Sequence, residues 1–207
     1  QWSSSAASDV YKRQIYSAQG SGTQILLLDQ STFTVGEDSE VVMDTFIYDP
    51  KTNDGKIVAS VKQGSLKVIS GLISQKDPDS LTVTVPEGTL GSRGTEFQTI
   101  VSKGKTDTLL IGPGKNNTLG MRPGAVLASN KFGKTLLDNP YSVTSMSKGK
   151  APDKARKITR SQLKKFNKKM RALSKSKGDK GEKKIARKAA RKELKKELKS
   201  LGFEKEE

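Results

Sequence analysis

The sequence predicts a mainly β domain, of sandwich, barrel or solenoid type, followed by a basic two-helix C-terminal tail. Three observations predict it. Short apolar–polar alternations recur about every 8 to 12 residues across the first hundred positions, with turn-forming residues between them. No helical period intervenes there. The charge is also split: residues 148–207 carry 24 Lys and Arg against 8 Asp and Glu, while residues 1–147 carry 14 of each. The whole formal charge of +16 therefore sits in the last sixty residues.

Ser4–Gln14 reads SSAASDVYKRQ and resembles the in-frame translation of a transposase adapter used in sequencing libraries. Gln1–Gln14 is accordingly set apart as an artefact, and the β domain is expected over residues 15–147. On that basis a signal peptide, membrane helix or further domain is expected to have been lost upstream.

The strands are expected in order. Ile15–Gly22 reads as an incoming strand remnant, and Gln24–Leu28 as a compact apolar run ending in the turn Asp29-Gln30-Ser31. Thr32–Val35 alternates, Gly36–Ser39 turns, and Glu40–Asp44 resumes, with Phe46-Ile47-Tyr48 as a further strand. Asp49–Gly55 has the Pro, Asx and Gly content of a hairpin tip. Lys56–Lys62 and Leu66–Ile69 read as two strands separated by a turn at Gln63-Gly64-Ser65. Thr108–Ile111 and Gly124–Ala128 continue the pattern, with Lys115–Tyr141 as loops and short strands closing the domain.

Leu81–Phe97, LTVTVPEGTLGSRGTEF, is the most specific stretch. Leu81, Val83 and Val85 alternate with Thr82 and Thr84, and Pro86 ends that ladder because it has no N–H to donate. Gly88, Gly91 and Gly94 then recur at every third position around Arg93, so the backbone turns tightly or is closely approached. Arg93 with Glu96 reads as an ion pair bracing this corner in preference to a ligand contact.

In the tail, Thr159 with Gln162 has capping-box spacing, and Leu163, Phe166, Met170 and Leu173 line one helical face. Asp179 with Glu182 opens a second helix with Ala190, Leu194, Leu198 and Leu201 on one face, ended by Gly202. The segment reads either as two amphipathic basic helices or as a disordered stretch able to become helical.

Composition removes whole classes of chemistry. The 207 residues contain no Cys and no His, which excludes disulfides, thiolate catalysis, Cys/His zinc sites and histidine acid–base chemistry. No run approaches the roughly 18 apolar residues of a membrane span. Asp29, Asp38, Asp44 and Asp49 lack the alternating spacing and terminal Glu of a calcium loop, and read as turn caps. Gly112–Thr118 lacks the Gly-Lys-Ser/Thr ending of a phosphate loop. Glu37, Glu87 and Glu96 offer carboxylates, but turns account for them. No catalytic, cofactor-binding or metal-ligating residue is expected.

Five ordered elements in Gln24–Val101 resemble the FecR domain, a family of bacterial envelope proteins. Ile25–Ser31 is similar to its apolar strand and DGS turn, with Gln30 where Gly is usual. Thr34–Val41 and Lys62–Leu66 are similar to its next two elements. Val83–Pro86 and Gly91–Phe97 are similar to its V-x-T-P and G-x-R-G-T-x-F signature, with Val85 in place of Thr. The family-motif residues are thus Asp29, Ser31, Gly36, Ser39, Gly64, Pro86, Gly91, Arg93, Gly94, Thr95 and Phe97, and each is expected to serve architecture. The resemblance implies a FecR-type β-sandwich or solenoid-like fold on the periplasmic or extracellular side of the envelope, without enzymatic activity. It implies sensing, signalling or binding of a protein or ligand. Its namesake members regulate a sigma factor in iron transport.

The residues 148–207 lie outside the family pattern. Lys164, Lys165, Lys168, Lys169, Lys184, Arg187, Lys188 and Arg191 are the candidate residues for an anionic partner. An envelope location favours anionic lipid or polymer over nucleic acid. The alternatives are a nucleic-acid-binding protein that uses the basic helices and, for the tail itself, a solvated linker with no specific partner. Phe166 and Phe203, the only aromatics there, fit an apolar face or terminus, so base stacking has little support.

Overall fold

The computed structural model describes residues 13–114 and 123–170. The chain divides into two units, Gln1–Ala172 and Leu173–Glu207. The second lies outside the described residues, as do the second predicted helix and Lys184, Arg187, Lys188 and Arg191.

Thirteen strands are present among the described residues: β1 Arg13–Ser17, β2 Thr23–Leu26, β3 Thr32–Val35, β4 Ser39–Asp49, β5 Asp54–Ile69, β6 Leu81–Val85, β7 Gly88–Arg93, β8 Glu96–Ser102, β9 Lys105–Gly112, β10 Ala125–Asn130, β11 Gly133–Leu137, β12 Ser142–Ser147 and β13 Arg156–Lys157. A five-residue helix α1, Leu72–Lys76, follows β5, and the ten-residue helix α2, Arg160–Lys169, follows β13. The mainly β prediction holds. Arg13 and Gln14, inside the adapter-like stretch, add two rungs to β1, facing Met43 and Val42.

All thirteen strands form one sheet folded over at β5. The first half of β5 pairs with β4 and, in parallel, with β6. Its second half pairs with β3 and β8. The sequence reading of two strands separated by a turn at Gly64 is therefore corrected: one 16-residue strand runs straight through. The pattern of burial shows why. Ile57, Ala59 and Val61 point inward, Lys62 and Gln63 are both exposed, and Leu66 and Val68 then point inward. The inward parity switches across an irregularity in the pairing with β4, where Glu40 faces Gln63 but Val41 faces Val61. A bulge of this kind lets a strand change sheets at a sandwich corner. Phe46-Ile47-Tyr48 likewise continues β4 and is not a separate strand.

The core lies between the two halves of the sheet. Val41, Ile57, Val83, Leu90 and Val126 come from one side, and Phe33, Leu66, Val68, Phe97 and Leu110 from the other. A smaller cluster lies on the outer face of β8, β9 and β12: Ile100, Leu109 and Val143, closed over by Phe166. The residues after Ser147 thus begin within the β unit: β13 pairs with β12, and α2 covers this outer face.

Candidate functional site

Three places collect the residues singled out by the sequence. The first is the corner of β5. Gly64 has φ +87°, and a Cβ there would overlap Ser39. Ser39 Oγ in turn accepts a 2.9 Å hydrogen bond from the Ser65 amide. The Gly36 amide donates to the Ser65 carbonyl at 2.9 Å, and a Cβ on Gly36 would overlap Ser65 Oγ. Gly36, Ser39 and Gly64 therefore meet at one point, where backbones cross too closely for side chains. A second knot is built on Asp29 and Ser31, both wholly buried. The Asp29 carboxylate accepts from the Ser31 amide and hydroxyl, at 3.1 and 2.7 Å, and Ser31 Oγ accepts from the Gly71 amide at 2.8 Å. Between them Gln30 has φ +69°.

The second place is the turn from β7 to β8. Pro86 and Glu87 form the tight connection between β6 and β7. The chain then bends at Gly94, with φ +51°. Thr95 is pinned on both sides by Ser70: the Thr95 amide donates to Ser70 Oγ at 3.2 Å, and Ser70 Oγ donates to the Thr95 carbonyl at 2.8 Å. Phe97 is fully buried in the core. The expected Arg93–Glu96 ion pair does not form. Glu96 is bound by Lys67, which lies beside it because β5 and β8 are adjacent strands. Arg93 ends β7 on the exposed face and has no charged partner among the described residues.

The third place is α2. Its predicted capping box is present: the Gln162 amide donates to Thr159 Oγ1 at 3.3 Å, and the Thr159 amide donates to Gln162 Oε1 at 3.2 Å. Phe166 is buried against Ile100, Leu109 and Val143, flanked by Leu163 and Ile158. Gln98 Nε2 donates to the Phe166 carbonyl at 3.0 Å. Two of the four predicted anion-binding lysines within α2 are engaged in holding the helix. Lys165 Nζ lies 3.2 Å from Asp107, and Lys169 Nζ lies 3.7 Å from Glu37 and 3.8 Å from Asp38. Lys164 and Lys168 are exposed, and Arg160 joins them. These three stand at i, i+4 and i+8, about 6 Å apart along one helical stripe.

Asp107 was not predicted from sequence. Burial raises the pKa of its carboxyl. The Ser145 hydroxyl and the ammonium groups of Lys165 and Lys105 more than offset this, and it titrates below the ordinary carboxylate value. The visible signal was the uninterrupted apolar run Leu109-Leu110-Ile111, which marks a strand covered on both faces.

The family model described as "FecR protein" matches residues 13–111. Those residues are a FecR domain. Two solved crystal structures share the fold: a protein assigned provisionally as an anti-sigma factor from Parabacteroides distasonis ATCC 8503, at 2.50 Å and at 1.65 Å. Their TM-scores are 0.54 and 0.52, each at 8% identity, covering 74% and 73% of this chain. The matched region spans 63% of each of those chains. No curated protein matches the sequence.

The FecR domain runs from β1 to the end of β9. Strands β10 and β11 extend its first layer from β7, and β12 and β13 extend the second from β9. Helix α2 then covers that second layer. Gln30 stands at a left-handed position, which explains why glycine is usual in this turn of FecR domains.

Proposed function

We propose that this chain is a non-enzymatic regulatory module of the bacterial envelope. Its FecR domain engages a protein or ligand, and the cationic face of α2, with the basic residues beyond it, engages an anionic lipid or polymer. The observation that carries the reading is the FecR domain itself, with a basic helix docked on its own β unit. The anti-sigma likeness of the fold supports a signalling role, and the periplasmic or extracellular location rests on the FecR resemblance. A link to iron transport rests on the resemblance alone.

The stripe of α2 supports the anionic partner on physical grounds. Like charges at i, i+4 destabilise a helix by a few tenths of a kcal/mol per pair. Residues 148–170 carry ten Lys and Arg against Asp153 alone. That arrangement is compensated only in part by the pairs to Asp107, Glu37 and Asp38.

Binding of the full chain to anionic vesicles, to cell-wall polymer and to duplex DNA, at low and high salt, tests the reading. Salt-sensitive retention on vesicles or polymer is expected. Retention by DNA alone would assign the basic surface to nucleic acid and overturn the envelope reading.

A further inference from the structure

A cleft of about 690 Å³ lies between α1 and the bend from β7 to β8. Such a volume falls in the range of roughly 300–1,000 Å³ that holds small organic ligands. Ile69, Pro113 and Pro123 supply apolar walls, and Arg93, Gly94 and Thr95 supply one rim. Gly94 and Thr95 on this rim belong to the family-motif corner, whereas Arg93 makes no ion pair that holds it among the described residues.

Arg93 is the charged group of the cleft that has no charged partner among the described residues. The other charged groups at the cleft are satisfied: Glu96 by Lys67, and Lys76 by Asp54 at 2.6 Å and by the Thr52 carbonyl at 2.8 Å. A guanidinium presents a planar fork that matches a carboxylate. Ser74, wholly buried, lies behind the inner wall.

The walls also favour a small molecule over an extended peptide. Strands β5, β7 and β8 are paired along both edges, so no free backbone row is offered for strand addition. Recognition must come through side chains: one cation and an apolar lining.

We propose that this cleft binds a small organic monocarboxylate with an apolar body, its carboxylate on Arg93 and its body against Ile69, Pro113 and Pro123. This site deepens the ligand-binding part of the regulatory reading, and its failure would leave vesicle binding by α2 untouched.

The test is a titration of the full chain with benzoate and with octanoate, followed by amide NMR shifts, beside the neutral isostere benzamide. The expected result is saturable shifts at Gly94, Thr95 and Gly112 with both acids and affinity about tenfold weaker for benzamide. Arg93→Gln should lose about the same factor, Arg93→Lys should fall between, and Lys134→Gln, at an exposed position outside both sites, should change nothing. Equal affinity of Arg93→Gln and the parent chain would overturn the assignment. So would shifts confined to α2 lysines, or no saturable shift with either acid.

Discussion

Gln98 and Phe166 are 68 positions apart, and the Gln98 side-chain amide donates to the Phe166 carbonyl at 3.0 Å. That bond, with the buried ring beside it, joins α2 to the outer face of β8, β9 and β12. Phe166→Ala should cost about 3 kcal/mol, the lower end for deleting a buried phenyl ring. Urea unfolding measures the loss. Amide exchange at Ile100 and Leu109 should accelerate in the same variant, since those strands lose their cover.

Asp107 makes this docking sensitive to acid. Its carboxyl titrates below the unfolded value, held there by Ser145, Lys165 and Lys105 against the cost of burial. A depressed pKa gives stability that is fully present above the unfolded pKa of about 3.9 and lost as pH falls through the folded value. Stability from this group should therefore be flat from neutral pH down to about 5 and decline only below about 4. Asp107→Asn should remove that part of the acid slope, as read from urea midpoints across pH.

The β5 corner separates two glycines of one motif set. Gly64→Ala combines a positive φ with overlap on Ser39 and should cost roughly 3 kcal/mol. Gly91→Ala meets open space at an ordinary strand position and should stay within about 0.5 kcal/mol. Thermal midpoints of the two variants, measured side by side, check the contrast.

These two residues also show what was legible in the sequence. The strand content, the Pro86 stop, the Thr159–Gln162 capping box and the apolar stripe of α2 could all be read from local pattern. Gly64 could not be placed, because a turn and a bulged corner both ask for a glycine at positive φ. Arg93 and Glu96 are close in sequence, but the partner of Glu96 is set by strand pairing, which brings Lys67 beside it. The docking of α2 was hidden for the same reason. Its sequence shows an apolar face, while Ile100, Leu109 and Val143, the surface that accepts it, come from three separate strands.

Gln30 occupies a left-handed position in an exposed turn, at φ +69°. Gln30→Gly should stabilise the domain by roughly 1 kcal/mol by removing the Cβ clash with the backbone. A rise in the thermal midpoint is the expected outcome, and a fall would mean that the side chain contributes more than its backbone strain costs.

The cationic stripe of a docked helix is the feature on which the functional proposal depends. Co-sedimentation of the full chain with vesicles containing anionic phospholipid, compared with the Arg160→Gln, Lys164→Gln, Lys168→Gln triple variant, tests it most directly. At about 1 kcal/mol per basic residue near an anionic surface, the triple variant should bind more weakly by about 3 kcal/mol, with the difference shrinking as salt shortens the screening length. Equal binding of the triple variant and the parent chain would contradict it.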